Sequence, residues 1–294
     1  MTAKKRQPGK RYEELTFSDD FMFCKILQND PELCRELLEL ILGRKVTEVL
    51  HVEQQKPIEI TADAKGVRFD VYLDDDRDNV YLIEMQTTRK KNLPKRIRYY
   101  QGMLDLNQIE RGAEYEELKK SCIIFICLDN PFPKKGRHLY TFKNVCLEDP
   151  ELLLPDETVK MILSAQGHMK DVSKEMEAFL QYLVTHKAAS DLTARIENAV
   201  ETARQHKRWR GEYMTLYEKY REYLEEGREE GREIGREEGR EEGRVIGREE
   251  GRILGTIETL TEMGLEEKAI IETIVSKWGM SLETAEKYLL EAKG

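Results

Sequence analysis

The sequence predicts an α/β (α+β) core, a mixed sheet flanked by helices, followed by an all-helical C-terminal tail. Three observations point there. Two amphipathic helical segments lie before residue 44. Short β-rich segments, interrupted by one helix, fill residues 46–145. A helical pattern then runs almost unbroken from about Asp156, with glycine at every fourth residue from Gly227 to Gly255. The chain has 294 residues, enough for one sizeable core and a second element. With 39% hydrophobic and 36% charged residues, and no run near the roughly 20 apolar residues that span a bilayer, a membrane protein is excluded. The N-terminal MTAKKRQPGKRY is basic with no apolar stretch behind it, so no secretory signal is expected and a cytoplasmic location is.

Residues 1–17 read as a basic arm. Ser18 caps the first helix, with Asp19 and Asp20 in its first turn, where carboxylates suit the helix dipole; Phe21, Phe23, Cys24 and Leu27 follow. Asp30-Pro31 restarts a helix with Leu33, Leu37, Leu38, Leu40 and Ile41 on one face, ended by Gly43. Residues 46–52 and 57–61 read as two short strands. Residues 67–74 alternate, with Val67, Phe69, Val71 and Leu73 on one face and Arg68, Asp70 and Tyr72 on the other. A polar turn at residues 75–79 leads into a strand over 80–87, and a helix follows over 93–111. The apolar run 121–128 has the pattern of a strand covered on both faces. Asn130-Pro131-Phe132-Pro133 breaks the chain before a last strand over 138–145.

The expected organisation is an arm (1–17), a core domain (18–155), a helical extension (156–226), the glycine repeat (227–255) and a C-terminal helical hairpin (256–294). Four residues turn a helix by about 400°, so the glycine stripe drifts by about 40° per repeat. Each interior glycine costs about 0.5–1 kcal/mol against alanine. The pairs Glu229–Arg232, Glu233–Arg236, Glu237–Arg240 and Glu241–Arg244 each return only a few tenths of that, about 0.2–0.5 kcal/mol. Close packing of a second helix on the stripe would supply the remainder and make the tail a site of homo-oligomerisation; a partly frayed linker is the other reading.

The five cysteines show no CxxC or Cys/His cluster, which argues against zinc, and the five histidines are scattered. The net charge of −9 does not favour a nucleic-acid partner, but local patches decide phosphate binding. The informative feature is the hairpin carrying Asp70 and Glu84-Met85-Gln86. A register that pairs Asp70 with Glu84 also pairs Leu73 with Tyr81 and leaves the turn at residues 75–79. Directly opposed residues have Cβ atoms about 4.5–5.5 Å apart, so two like charges would repel unless a cation lay between them. Mg²⁺ suits such a pair of carboxylates together with a substrate phosphate. Immediately downstream, residues 89–104 hold Arg89, Lys90, Lys91, Lys95, Arg96 and Arg98 without an acid, interleaved with Tyr99, Tyr100 and Gln101. Lys90, Lys91, Lys95, Arg96, Arg98 and Tyr99 form a candidate DNA-backbone contact surface. Asp74, Asp75, Asp76 and Asp78 read as solvated loop acids, since the glycine and distal glutamate of a calcium loop are missing.

Taken together, Phe21-Met22-Phe23-Cys24-Lys25 after an acidic pair, Arg68-Phe69-Asp70-Val71, Ile83-Glu84-Met85-Gln86 and Arg98-Tyr99-Tyr100 resemble the recombination-promoting nuclease and PD-(D/E)XK nuclease-family transposase group. The motifs cover roughly residues 15–150, and the tail is similar to tails that recur in that group. The resemblance implies a restriction-endonuclease-like core and DNA cleavage dependent on Mg²⁺, with Mn²⁺ as a substitute. It implies Asp70 and Glu84 as catalytic metal ligands, and a further acid from the first helix, Asp20 or alternatively Asp19. Gln86 stands where the general pattern has lysine; E-x-Q forms are familiar in the group. Glutamine hydrogen-bonds but carries no charge, so Lys90 or Lys95 is the expected source of the missing positive charge. The competing expectation is a catalytically silent DNA-binding, oligomerising protein on the same fold.

Overall fold

The computed structural model describes residues 10–58, 67–89 and 92–292. Two helices open the chain, α1 (Asp20–Asn29) and α2 (Pro31–Leu42). Three strands follow, β1 (Val49–Ile58), β2 (Val67–Asp75) and β3 (Val80–Gln86). Next come α3 (Leu93–Gln108), β4 (Ser121–Cys127), β5 (Leu139–Phe142) and β6 (Thr158–Ser164). The rest is helical: α4 (Lys174–Thr185), α5 (Asp191–Gln205), α6 (Lys207–Glu262), α7 (Glu267–Trp278) and α8 (Leu282–Glu291). The chain forms two compact units, Met1–Thr215 and Leu216–Gly294.

In the first unit the six strands form one sheet in the order β1-β2-β3-β4-β6-β5. The β1–β2–β3 meander and the β5–β6 pair are antiparallel, whereas β3–β4 and β4–β6 are parallel, so the sheet is mixed as predicted. Helix α3 is the crossover between parallel neighbours β3 and β4, which a short turn could not join. One sheet face packs Val71, Leu73, Tyr81, Ile83, Ile124 and Ile126 with apolar residues of α1, α2, α4 and α5. The other packs Phe69, Tyr72, Leu82, Ile123 and Phe125 against Leu93, Ile97, Tyr100, Met103 and Leu104 of α3. Every residue of β4 is buried, which explains its unbroken apolar run.

Several expectations need correction. Residues 46–52 and 57–61 are not two strands; β1 is continuous from Val49 to Ile58, and residues 59–61 lie outside the described residues. Pro57 lies in β1, an edge strand of the sheet, the kind of strand to which proline is confined. The expectation of helix alone after residue 156 fails at β6, which lies between β4 and β5. Asp19 rather than Ser18 occupies the N-cap position of the first helix, without a capping hydrogen bond from its side chain, and the Ser18 hydroxyl instead donates to the Leu183 carbonyl at 2.9 Å. Helix α3 ends at Gln108, three residues short of the predicted limit. Asp75 is not a solvated loop acid. It is 2% exposed and accepts from the Arg77 and Asn79 amides and from the Tyr81 hydroxyl, each at 2.9 Å.

In the second unit Ile253 and Ile257 of α6 pack with Ile270 and Ile274 of α7 and with Ala285 and Leu289 of α8. Gly264 and Gly279 break the chain at positive φ (78° and 65°), at the predicted positions. The glycine repeat lies within α6 and is exposed. Of the four predicted intrahelical pairs, Glu241–Arg244 forms, at 2.9 Å; among the described residues the other three do not.

Candidate metal centre

The hairpin register is the predicted one: Leu73 pairs with Tyr81 and Val71 with Ile83. Beyond Val71/Ile83 the β2–β3 ladder gives way to side chains. The Asp70 amide donates to Glu84 Oε1 at 2.9 Å, and the Met85 amide donates to Asp70 Oδ2 at 3.0 Å. Each carboxylate thus takes up the backbone donor that the opposite strand leaves open. The same place breaks the predicted alternation. Val67 and Phe69 pack on the α3 side together with Tyr72, while Val71 and Leu73 face the other way. Asp70 sits at the changeover.

Glu84 and Gln86 stand on the α3 side of β3, two residues apart, and both are buried. Arg96, on the first turns of α3, reaches both. It donates to Glu84 Oε2 at 2.9 Å and to Gln86 Oε1 at 2.7 Å. Its guanidinium lies over the Tyr100 and Phe125 rings (4.8 and 5.3 Å to the centroids) and meets the Tyr100 hydroxyl at 2.6 Å. Of the two expected charge donors, Lys95 is exposed and Lys90 lies outside the described residues; among the described residues Arg96 meets both members of the E-x-Q pair. The predicted DNA-contact group divides accordingly. Lys95, Arg98 and Tyr99 are exposed on α3, Arg96 is turned inward, and Lys91 lies outside the described residues together with Lys90.

Helix α1 brings Asp20 to the same end of β2. Asp20, Cys24 and Asp70 each offer a ligand atom, and these atoms lie within 4.8 Å of one another. Asp20 and Cys24 are four residues apart, hence on one helix face. The Cys24 thiol donates to the Asp70 carbonyl at 3.3 Å and lies 3.6 Å from Asp20 Oδ1. Arg68, exposed on β2, approaches Asp20 Oδ2 at 3.5 Å. Asp19, the alternative acid, is held away by Lys10 at 2.8 Å and by the Thr16 amide at 2.7 Å. Cys24 and Arg96 are the members that sequence reasoning assigned elsewhere. The fourth-residue spacing from Asp20, and that of Arg96 to Tyr100, were the signals available.

Burial pushes the Asp70 carboxyl well up, and the charges of Glu84 and Asp20 push it further. Burial also raises Glu84, against the opposing effects of the Asp70 amide and Arg96. Burial raises the Cys24 thiol too, with the neighbouring acids adding to it. A cluster that resists ionisation in this way is one a cation would relieve. The donor set fits a hard divalent ion. Ligands about 2.0–2.1 Å from Mg²⁺ lie up to about 4.2 Å apart, so a small side-chain closure brings Asp20 and Asp70 into range. Each Glu84 oxygen accepts one hydrogen bond and retains a second lone pair. Sulfur is a poor ligand for such an ion, so Cys24 reads as a hydrogen-bonding neighbour rather than a ligand.

Residues 18–151 match the family model described as PD-(D/E)XK nuclease family transposase. That stretch is similar to the domain of this family. No curated protein and no solved structure matches the chain. The mixed six-stranded sheet with flanking helices agrees with the restriction-endonuclease-like fold of PD-(D/E)XK nucleases, and the domain is of nuclease type. Among the described residues no helix is long and apolar enough to cross a membrane.

Proposed function

We propose that this protein is a Mg²⁺-dependent DNA endonuclease that hydrolyses phosphodiester bonds. The observation that carries the reading is the cluster of Asp20, Cys24 and Asp70 at one end of β2, with Glu84 of β3 joined to it through the Asp70 amide and with exposed basic residues on α3. Asp70, Glu84 and Asp20 would hold the ion, with Mn²⁺ as a substitute. When bound, it would supply positive charge to a scissile phosphate and favour ionisation of an attacking water. The chain's own groups prepare that site. The Asp70 and Met85 amides fix one oxygen of each carboxylate, Arg96 fixes the second oxygen of Glu84, and the Tyr100 and Phe125 rings hold Arg96. Lys95, Arg98 and Tyr99, with Lys90 and Lys91, would take the DNA backbone. The word transposase in the family description suits a role in mobile-element transfer, and recombination is the role that the resemblance of its motifs implies. Five free cysteines suit a reducing cytoplasm, and the exposed glycine repeat suits homo-oligomerisation through the tail.

One observation favours a second reading, a catalytically silent DNA-binding protein. Gln86 is engaged at both ends, its oxygen by Arg96 and its Nε2 by the Thr88 carbonyl at 2.6 Å. It cannot then present the positive group that a lysine would. Incubation of supercoiled plasmid with Mg²⁺ separates the two readings. Nicking or linearisation by the wild type, and by neither Asp70→Ala nor Glu84→Ala, is the expected result. An intact plasmid with all three proteins, in Mg²⁺ and in Mn²⁺, would leave the silent reading standing.

A further inference from the structure

Residues 221–252 of α6 are all exposed, an unpartnered helical face within the second unit. Nothing lies within 4 Å of where a Cβ would stand on any of the eight glycines from Gly227 to Gly255. The charged residues around these glycines are arranged in rows. At about 100° per residue, the arginine after each of the first seven glycines lies about 100° to one side of the glycine row. The third residue after each glycine lies about 60° to the other side. That second row reads Glu230, Ile234, Glu238, Glu242, Ile246, Glu250, Leu254, Glu258. The arginine row, Arg228 to Arg252, is uninterrupted. Glu241–Arg244 is the ion pair within the repeat, so among the described residues most of these guanidiniums meet no carboxylate of their own chain. Ile234 and Ile246, 51% and 55% exposed, flank the stretch Gly235–Gly243 on the glutamate side.

We propose that this face docks a second copy of the same chain in parallel orientation, crossing near Gly239. The charge rows decide the direction. If two copies meet glycine row to glycine row and run parallel, a two-fold axis along the pair sets each arginine row opposite the partner's glutamate row, on both sides. If they run antiparallel, arginines face arginines and glutamates face glutamates, which is repulsive on both sides. Glycine permits close approach, and the rows of every fourth residue favour a crossing near −50°. The 40° drift per repeat confines the contact to a few turns. Arg236, Arg240, Glu238 and Glu242 form the part of the rows without interruption, and Ile234 and Ile246 bracket it. It rests on the proposed self-association of the tail and not on the nuclease reading, because none of its residues belongs to the metal centre.

The test uses the full chain and light scattering across a concentration series. Wild type is expected to form a dimer. Arg236→Glu with Arg240→Glu makes both flanks acidic, and Glu238→Arg with Glu242→Arg makes both basic. Each double variant should be monomeric where the wild type is dimeric, and an equimolar mixture of the two should pair again. Gly239→Ala with Gly243→Ala carries an opposite sign in two readouts. It should raise the thermal midpoint of the tail helix and weaken association at least tenfold. A spin label at Glu226→Cys, in a Cys146→Ser background, reads direction. From 1.5 Å per residue and the crossing angle, two labels lie about 20 Å apart in a parallel pair and about 40 Å in an antiparallel one. A monomeric wild type, a label separation near 40 Å, or unchanged association in both charge variants would each overturn the proposal.

Discussion

Replacing Arg96 by leucine isolates the electrostatics of the site without touching a carboxylate. Glu84 is 1% exposed, and its Oε2 rests on Arg96 at 2.9 Å. Removing one partner of a buried ion pair costs about 3–5 kcal/mol. Arg96 is itself 28% exposed, which favours the lower end, about 3 kcal/mol. Loss of the Tyr100 and Phe125 ring contacts adds about 1 kcal/mol that does not vary with pH. The Glu84 part does vary. Burial already raises its pKa, and Arg96 is one of the groups that restrain it, so the substitution raises it further. An acid raised in the fold retains a proton that the unfolded chain has released. Stability then falls as pH climbs from the unfolded value, about 4.3, through the folded one, by at most about 1.4 kcal/mol per pH unit. Arg96→Leu should therefore cost about 1–2 kcal/mol at pH 5 and about 3–4 kcal/mol at pH 8, and adding Glu84→Gln should remove most of the difference. Urea unfolding followed by circular dichroism at the two pH values measures this. An equal cost at pH 5 and pH 8 would refute the buried-pair argument.

Asp70→Asn keeps an acceptor for the Met85 amide and removes the repulsion with Glu84 and Asp20. Because Asp70 is raised in the fold, its penalty exists above the unfolded value of about 3.9 and disappears below it; the metal-free variant should gain about 1–2 kcal/mol at pH 8 and nothing near pH 4 by calorimetry. Added Mg²⁺ should raise the thermal midpoint of the wild type and leave that of Asp70→Asn unchanged. Asp75→Ala strands the Arg77 and Asn79 amides and the Tyr81 hydroxyl, at a cost of about 2–4 kcal/mol in denaturant unfolding. Burial alone would raise Asp75, but its donors hold it below the usual carboxylate range. Its contribution is therefore complete above about pH 4 and lost as pH falls through the folded value, so the variant and wild type should converge in acid.

Much of this was legible in the residues because local chemistry and the fold agree. Asp30-Pro31 and Gly43 bound α2 as cap, first-turn proline and left-handed end. The polar turn fixed the hairpin register, which brings Asp70 and Glu84 close enough for the Asp70 amide to donate to Glu84 Oε1. The rest depends on contacts distant in sequence. Thr158–Ser164 carries Val159, Met161, Ile162 and Leu163, a pattern as compatible with helix as with strand; its slot between β4 and β5 decides. The face change at Asp70 arises because the two carboxylates take over backbone amides, which no alternation rule contains. A basic run does not announce which cation turns inward. Arg96 does so because Tyr100 and Phe125 offer it a platform that Lys95, one position along the helix, cannot reach.

The claim that Asp70 and Glu84 anchor a divalent-metal centre is tested most directly by titrating Mn²⁺ and counting free ion by electron paramagnetic resonance. Wild type should bind at the site with an affinity that Asp70→Asn and Glu84→Gln each weaken at least tenfold, while Asp75→Asn, away from the site, leaves it unchanged. Equal Mn²⁺ binding by wild type, Asp70→Asn and Glu84→Gln, or none by wild type, would contradict the account.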